Sequence, residues 1–237
     1  MQEEYIRYTA DLVDSRLARG STQPDIWNLV LNTETSEALA PGKMHSCAEL
    51  FIISGSETTA TLLCDVIYYL LCYPSSLKKL VDEIRSRFVN FDSITFERLS
   101  RLRYLNACLE EALRLYSPVL TGVARVAPPG GLTILFKWVA PGTRVSVRQP
   151  DAFVPERWLG DHPAYRSNNR DCCQPYSVET RNFIDQNMAW HETRLILAKL
   201  LFTFDLELCE KSTDWISQKT YALWEKKPLM FRMRTVT

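Results

Sequence analysis

Apolar and aromatic residues Tyr5, Tyr8, Leu12, Val13 and Leu17 recur at roughly helical spacing between Glu4 and Ala18, which predicts a surface helix with one buried face. Gly20 lies where a C-terminal glycine ends such a pattern. The stretch from Ser21 to Pro41 is mostly polar, with a short apolar piece at Ile26–Leu31, and reads as a connector. Pro41-Gly42 then opens the most apolar part of the chain. From Met44 to Cys72 nearly every side is apolar, so the pattern predicts a long buried helix. A small polar patch, Ser54-Gly55-Ser56-Glu57-Thr58-Thr59, interrupts it where a core helix would favour leucine or alanine.

Tyr73-Pro74 ends that helix, and Ser75 or Ser76 is placed to cap the next, whose inward stripe is Leu77, Leu80, Val81 and Ile84. A further helix is predicted from Leu102 to Tyr116, stopping at Ser117-Pro118. Between Val123 and Val147 the texture changes. Pro128-Pro129-Gly130-Gly131 and Pro141-Gly142 bracket Leu132–Val139, a β-branched run that predicts a hairpin. Asp151–Ala189 reads mostly as loop, Met188–Leu206 regains a helical stripe, and Phe204–Leu208 and Leu229–Met233 read as short strands. The fold class is mainly α with a small β part, in one domain over residues 1–237.

Composition is that of an ordinary globular chain: 46% hydrophobic and 24% charged residues. Basic and acidic residues number 28 each, so no bulk charge draws nucleic acid or anionic lipid, and a nucleic-acid partner is not expected. Seven scattered cysteines suit a reducing compartment, and with no Cys-x-x-Cys pair and three distant histidines there is no zinc pattern. The longest apolar stretch, Leu62–Tyr73, is too short to cross a bilayer and contains Asp65. With no signal peptide after Met1, the expectation is an intracellular, cytoplasmic chain without a membrane anchor.

Four segments, in order and spacing, carry a family resemblance. They are Gly55-Ser56-Glu57-Thr58-Thr59, Glu111-Ala112-Leu113-Arg114, Phe153-Val154-Pro155-Glu156-Arg157-Trp158, and Arg181-Asn182-Phe183-Ile184-Asp185-Gln186-Asn187-Met188-Ala189. Together they resemble the C-terminal half of a cytochrome P450 of the fungal secondary-metabolism type. The resemblance implies a partial P450 fold and, in the family, a haem b cofactor. It implies for Glu57 and Thr58 the oxygen-activation positions, an acid and a hydroxyl that relay protons to bound oxygen. Gly55 would let the helix backbone approach the porphyrin. A glycine-and-threonine kink in a buried helix is the plain alternative. For Glu111, Arg114 and Arg157 it implies a structural acid–base triad, the alternative being a solvated pair. Arg125 and Arg181 would face the haem propionates, or else be ordinary surface arginines.

The family loop carries an aromatic, a glycine, an arginine, the ligating cysteine and a second glycine. Here those positions read Tyr176, Glu179, Arg181, Phe183 and Asp185, with Thr180 for the usual proline. Iron in this family needs a thiolate, and phenylalanine has no lone pair to offer. Glu179 and Asp185 add bulk and negative charge where glycine would let the loop turn. Each of the four changes is reachable by one base substitution, a pattern that suits drift. Cys172 and Cys173 lie beyond Pro175, and Cys108 reads as core, so a substitute thiolate is not expected. The connection Arg148-Gln149-Pro150 is also shorter than the family's, and the family's anchor and substrate-recognition region have no counterpart in this sequence.

These readings give three expectations. The first is a degenerate P450-like protein without haem or monooxygenase activity, derived from an enzyme that oxidises a hydrophobic metabolite with a reductase's electrons. The second is a haem-free accessory protein whose partner is a small hydrophobic metabolite or another pathway enzyme. The third is a working, reticulum-anchored monooxygenase whose gene has been misread. Phe183, at the ligand position, is where the three part: the first two accept it as the natural residue and the third does not.

Overall fold

A computed structural model describes residues 2–19, 41–119, 125–134, 137–141, 144–145, 152–161, 163–165, 170, 173–176, 183, 185–220 and 224–236. Its helices are α1 (Gln2–Ala18), α2 (Pro41–Cys72), α3 (Pro74–Arg87), α4 (Phe96–Ser100), α5 (Arg103–Leu115), α6 (Glu156–Leu159) and α7 (Gln186–Thr203). Short strands make antiparallel pairs. β1 (Arg125–Val126) pairs with β4 (Arg144–Val145), and β2 (Leu132–Ile134) with β3 (Lys137–Val139). Likewise β5 (Phe204–Leu208) pairs with β8 (Phe231–Thr235), and β6 (Lys219–Thr220) with β7 (Trp224–Glu225). The mainly α class with a small β part is what the hydrophobic pattern predicts.

The chain divides into two compact units, residues 1–58 and 59–237, with the boundary inside α2. In the first, Val13 of α1 packs with Met44 and Ala48 of α2, with Leu17 against them, and His45 Nε2 lies 2.9 Å from Asp14 Oδ1. In the second, the core is a meeting of four helices. Leu62, Val66 and Leu70 of α2 lie one turn apart on one face and bury against Leu80 and Ile84 of α3, Leu105 and Leu109 of α5, and Leu197 and Leu201 of α7. Cys108 is part of that core, as its position in the α5 stripe predicts.

Polar side chains from neighbouring helices finish the helix ends. Both carboxylate oxygens of Glu83 on α3 accept backbone N–H groups at the start of α5, from Tyr104 and Leu105, each at 2.9 Å. Arg85, two residues on from Glu83 and so on the other side of α3, donates to the Leu201 and Phe204 carbonyls at 2.8 and 3.2 Å, at the C-terminal end of α7. α7 stops at Thr203, and from Phe204, in extended conformation, the chain passes directly into β5 rather than running on as helix to Leu206.

Two sequence expectations are corrected here and one is refined. No serine caps α3: Tyr73 precedes it, Pro74 supplies the first turn, and Ser76 is buried inside the helix. The segment expected to be mostly loop is loop among its described residues apart from α6, a 3-10 turn at Pro163–Tyr165 and the start of α7. The apolar stretch is also longer than Leu62–Tyr73, because Gly42–Cys72 is long and apolar enough, by length and composition alone, to cross a membrane. Its second half lies in the core of the second unit, as a buried helix of a globular fold does. The expectations for Gly20, the 21–40 connector, the 148–150 connection, Cys172, Glu179, Thr180 and Arg181 lie outside the described residues.

Candidate functional site

Glu111 is fully buried on α5, and its carboxylate is saturated with donors. Arg114, one turn on, donates from Nε to Oε2 and from Nη2 to Oε1, both at 2.8 Å. This is the bidentate fork of guanidinium and carboxylate that spacing three on a helix permits. The backbone N–H of Val154 reaches Oε1 at 2.9 Å, and the indole N–H of Trp158 reaches Oε2 at 2.8 Å. Arg157 Nε stands 3.6 Å from Oε1, a charge contact rather than a hydrogen bond, while its guanidinium lies over the Tyr165 ring at 5.1 Å. Arg114 also donates to the Ala152 carbonyl at 3.0 Å. Burial works against the Arg114 charge, and the Glu111 partner outweighs it, so its pKa is raised.

One buried carboxylate thus ties α5 to the whole 152–158 segment. Gly160, at φ +82°, ends α6 in the left-handed conformation that glycine accepts without strain, which lets the segment turn away after Arg157 and Trp158. Glu156 points the other way, to Lys79 Nζ at 2.6 Å and the Tyr104 hydroxyl at 3.2 Å, so the same segment is pinned to α3 as well.

Phe183 is half-buried just ahead of α7. Its N–H donates to the Tyr176 carbonyl at 2.9 Å and its carbonyl accepts from Gln186 at 3.2 Å. The Phe183 and Tyr176 rings lie 6.1 Å apart, and Tyr176 in turn lies 6.0 Å from Trp190 of α7. Arg194 stacks over Trp190 at 4.7 Å and donates to Asn106 Oδ1 at 2.8 Å. Burial pushes the Tyr176 phenol up, with the Glu110 charge adding to it. The position that the resemblance assigns to a metal ligand is therefore occupied by a hydrocarbon ring at the edge of an aromatic cluster. Asp185 stands at the N-terminal cap of α7 without a side-chain capping bond.

In the first unit, Glu57 is exposed and Thr58 half-buried on α2. The Thr58 hydroxyl donates to the Ser54 carbonyl, and Ser56 to the Ile52 carbonyl at 2.6 Å. These are the bonds short hydroxyl side chains make back along their own helix. A Cβ on Gly55 would meet nothing within 4 Å, so the backbone there borders open space. Arg125 sits on β1 opposite Val145, with its side chain outside the described residues, and Arg181 is outside them altogether.

The structure brings Glu111, Arg114 and Arg157 together. Sequence reasoning missed Val154 and Trp158, which hold the carboxylate at hydrogen-bond distance where Arg157 does not. The signal for Trp158 was present: an indole N–H directly after the arginine of a loop that must bury needs an acceptor. Nothing in the sequence marked the Val154 backbone. Among the described residues, no group of three or more His, Cys, Asp or Glu side chains is placed to hold a metal ion.

Comparison with known proteins gives a consistent family. The family model described as "Cytochrome P450" matches residues 2–233. The chain is 42% identical over 251 residues to "Cytochrome P450 monooxygenase efuB" of Hormonema carpetanum, covering 100% of this chain and 50% of that protein. It is 43% identical over 243 residues to "Cytochrome P450 monooxygenase FUM2" of Gibberella moniliformis, covering 97% and 52%. With "Averantin hydroxylase" of Aspergillus parasiticus the identity is 40%, covering 94% and 49%. The chain spans about half the length of these curated relatives. Among solved structures, the haem domain of cytochrome P450DA superposes with a TM-score of 0.76 at 23% identity, covering 98% of this chain and 54% of that one, a likeness of fold.

Proposed function

The chain belongs to the cytochrome P450 family, and we propose that it is a degenerate member that does not carry out haem-thiolate monooxygenation, derived from an enzyme oxidising a hydrophobic secondary metabolite. Phe183 carries this reading. A thiolate ligand donates electron density to iron in a way no hydrocarbon side chain can. The residues present do not fit the group: the ring at the ligand position packs toward Tyr176, and its backbone is committed to Tyr176 and Gln186. The half-buried Cys173 has its N–H on the Arg170 carbonyl, and Cys108 is sealed in the α5 core. Re-aiming either would require moving a backbone along with a side chain.

Titrating the purified protein with haemin and following absorbance tests the proposal. The expected result is no saturable, stoichiometric binding, and a one-to-one complex would overturn it. Sequencing the transcript separates it from a misread gene: the account expects a phenylalanine codon at position 183, and a cysteine codon would return the enzyme reading.

The completeness of the Glu111 network supports a second role as a haem-free accessory protein for a small hydrophobic metabolite or a pathway enzyme. A chain whose buried carboxylate has every donor in place retains the means to fold. Deleting the gene should then alter the metabolite profile of the producing organism, and an unaltered profile counts against this role.

A further inference from the structure

Asp65 has no counterpart in the site described above. It lies on α2 between Leu62 and Val66, fully buried within the second unit. Among the described residues neither of its carboxylate oxygens has a hydrogen-bond partner. The hydroxyl of Tyr116, at the end of α5, is likewise buried and unpartnered. The groups that face this carboxyl are few. From its own helix come Cys64 and Tyr69, and from the end of α5 comes Tyr116, whose thiol and phenols are pushed up chiefly by burial and further by the Asp65 charge. From the segment after β7 comes Lys226, which bears on Cys64 and spends a proton on Thr61 Oγ1 at 3.0 Å. Among the described residues no cation acts on Asp65 itself, and burial drives its pKa well above the ordinary value of 3.8.

The surroundings make charge at this point a packing matter. Tyr116 stacks on Trp224 with ring centroids 4.0 Å apart and also meets Trp215 at 5.8 Å. Trp215 meets Tyr68 of α2 at 5.3 Å, and the Tyr68 hydroxyl donates to the Thr213 carbonyl at 2.9 Å. This aromatic cluster is what fastens the C-terminal part of the chain onto α2 and the end of α5. An ionised carboxylate beside it would have neither water nor a donor, a state that proteins avoid by staying protonated or by opening.

We propose that Asp65 is a proton latch on the second unit: α2 packs closed against the Tyr116–Trp224 stack with the carboxyl protonated, and loss of that proton opens this contact. The sign follows from linkage. A buried acid held neutral contributes its packing in full at pH below about 4, the unfolded range, and loses it as pH rises toward the folded pKa. One coupled proton makes the opening equilibrium grow by up to about tenfold per pH unit within that window.

The test is hydrogen exchange of the full chain between pH 5 and 9, corrected for intrinsic exchange rates, read at residues 62–70 and 111–116, beside the fluorescence of Trp215 and Trp224. Wild type should lose protection at both segments together as pH rises. Asp65→Asn, which keeps the shape and removes the charge, and Asp65→Leu, which fills the same space with hydrocarbon, should each lose the slope. A wild-type profile flat in pH, or a slope that both variants keep, overturns the proposal. Where neither variant folds, the wild-type profile is read by segment: protection lost at 62–70 and 111–116 together supports the latch, and a flat profile, or loss at only one of the two, overturns it. The latch goes beyond the haem-free reading and does not rest on it, since haemin titration reports on Phe183 and these profiles on Asp65.

Discussion

The indole N–H of Trp158 donates to the Glu111 carboxylate at 2.8 Å across 47 residues of sequence, while Arg157, its neighbour in the chain, stops at 3.6 Å. The tryptophan, with Arg114 and the Val154 backbone, therefore holds the acid, and Arg157 adds charge. Glu111→Gln leaves Arg114 buried without a full counter-charge and is expected to cost about 3–5 kcal/mol. Trp158→Phe removes one charged hydrogen bond and should cost about 1.5–3 kcal/mol. Urea unfolding measures both, and a Glu111→Gln variant as stable as wild type contradicts the network's role.

Glu83 ends the N-terminus of α5 from outside the helix, taking the Tyr104 and Leu105 N–H groups at 2.9 Å each. Glu83→Ala is expected to lower stability by about 1–2 kcal/mol, the range of a lost helix cap. The same change should cost the amides of Tyr104 and Leu105 their exchange protection while leaving the middle of α7 protected. Uniform loss across both helices would mean the cap does something broader than finish α5.

Burial raises the Glu156 pKa, but Lys79 at 2.6 Å and the Tyr104 hydroxyl outweigh it, so the carboxyl titrates below its ordinary 4.5. A depressed carboxyl stabilises the fold above that ordinary value, and the contribution fades as pH falls through the folded pKa. Lys79 is largely exposed, so the pair is screened and worth less than about 1 kcal/mol. Lys79→Ala should flatten the acid limb of the stability profile slightly near pH 4. A steeper acid limb in that variant contradicts the sign.

Much of the fold was legible because burial and period agree. The Leu77, Leu80, Val81, Ile84 stripe gives α3, and α5 runs from Arg103 to Leu115 against a predicted Leu102 to Tyr116. Pro74 fixed where α3 begins better than either serine did, since a missing N–H is harmless in the first turn. α4 was not seen, because five residues carry too little period to register. The triad's residues were legible by resemblance, yet its geometry was not: backbone donors such as Val154 leave no mark in a side-chain pattern. Asp65 was visible only as a charge in an apolar run, and its lack of a partner depends on which side chains fold around it.

The most direct test of the central claim is the carbon-monoxide spectrum of the reduced protein, expressed with haem precursor supplied, beside a variant carrying E179G, T180P, F183C and D185G. The account predicts no Soret band and no thiolate-type shift for the natural sequence, because Phe183 offers iron no ligand. A stoichiometric Soret band with the shift of thiolate-bound haem, in protein confirmed to carry phenylalanine at position 183, would contradict it.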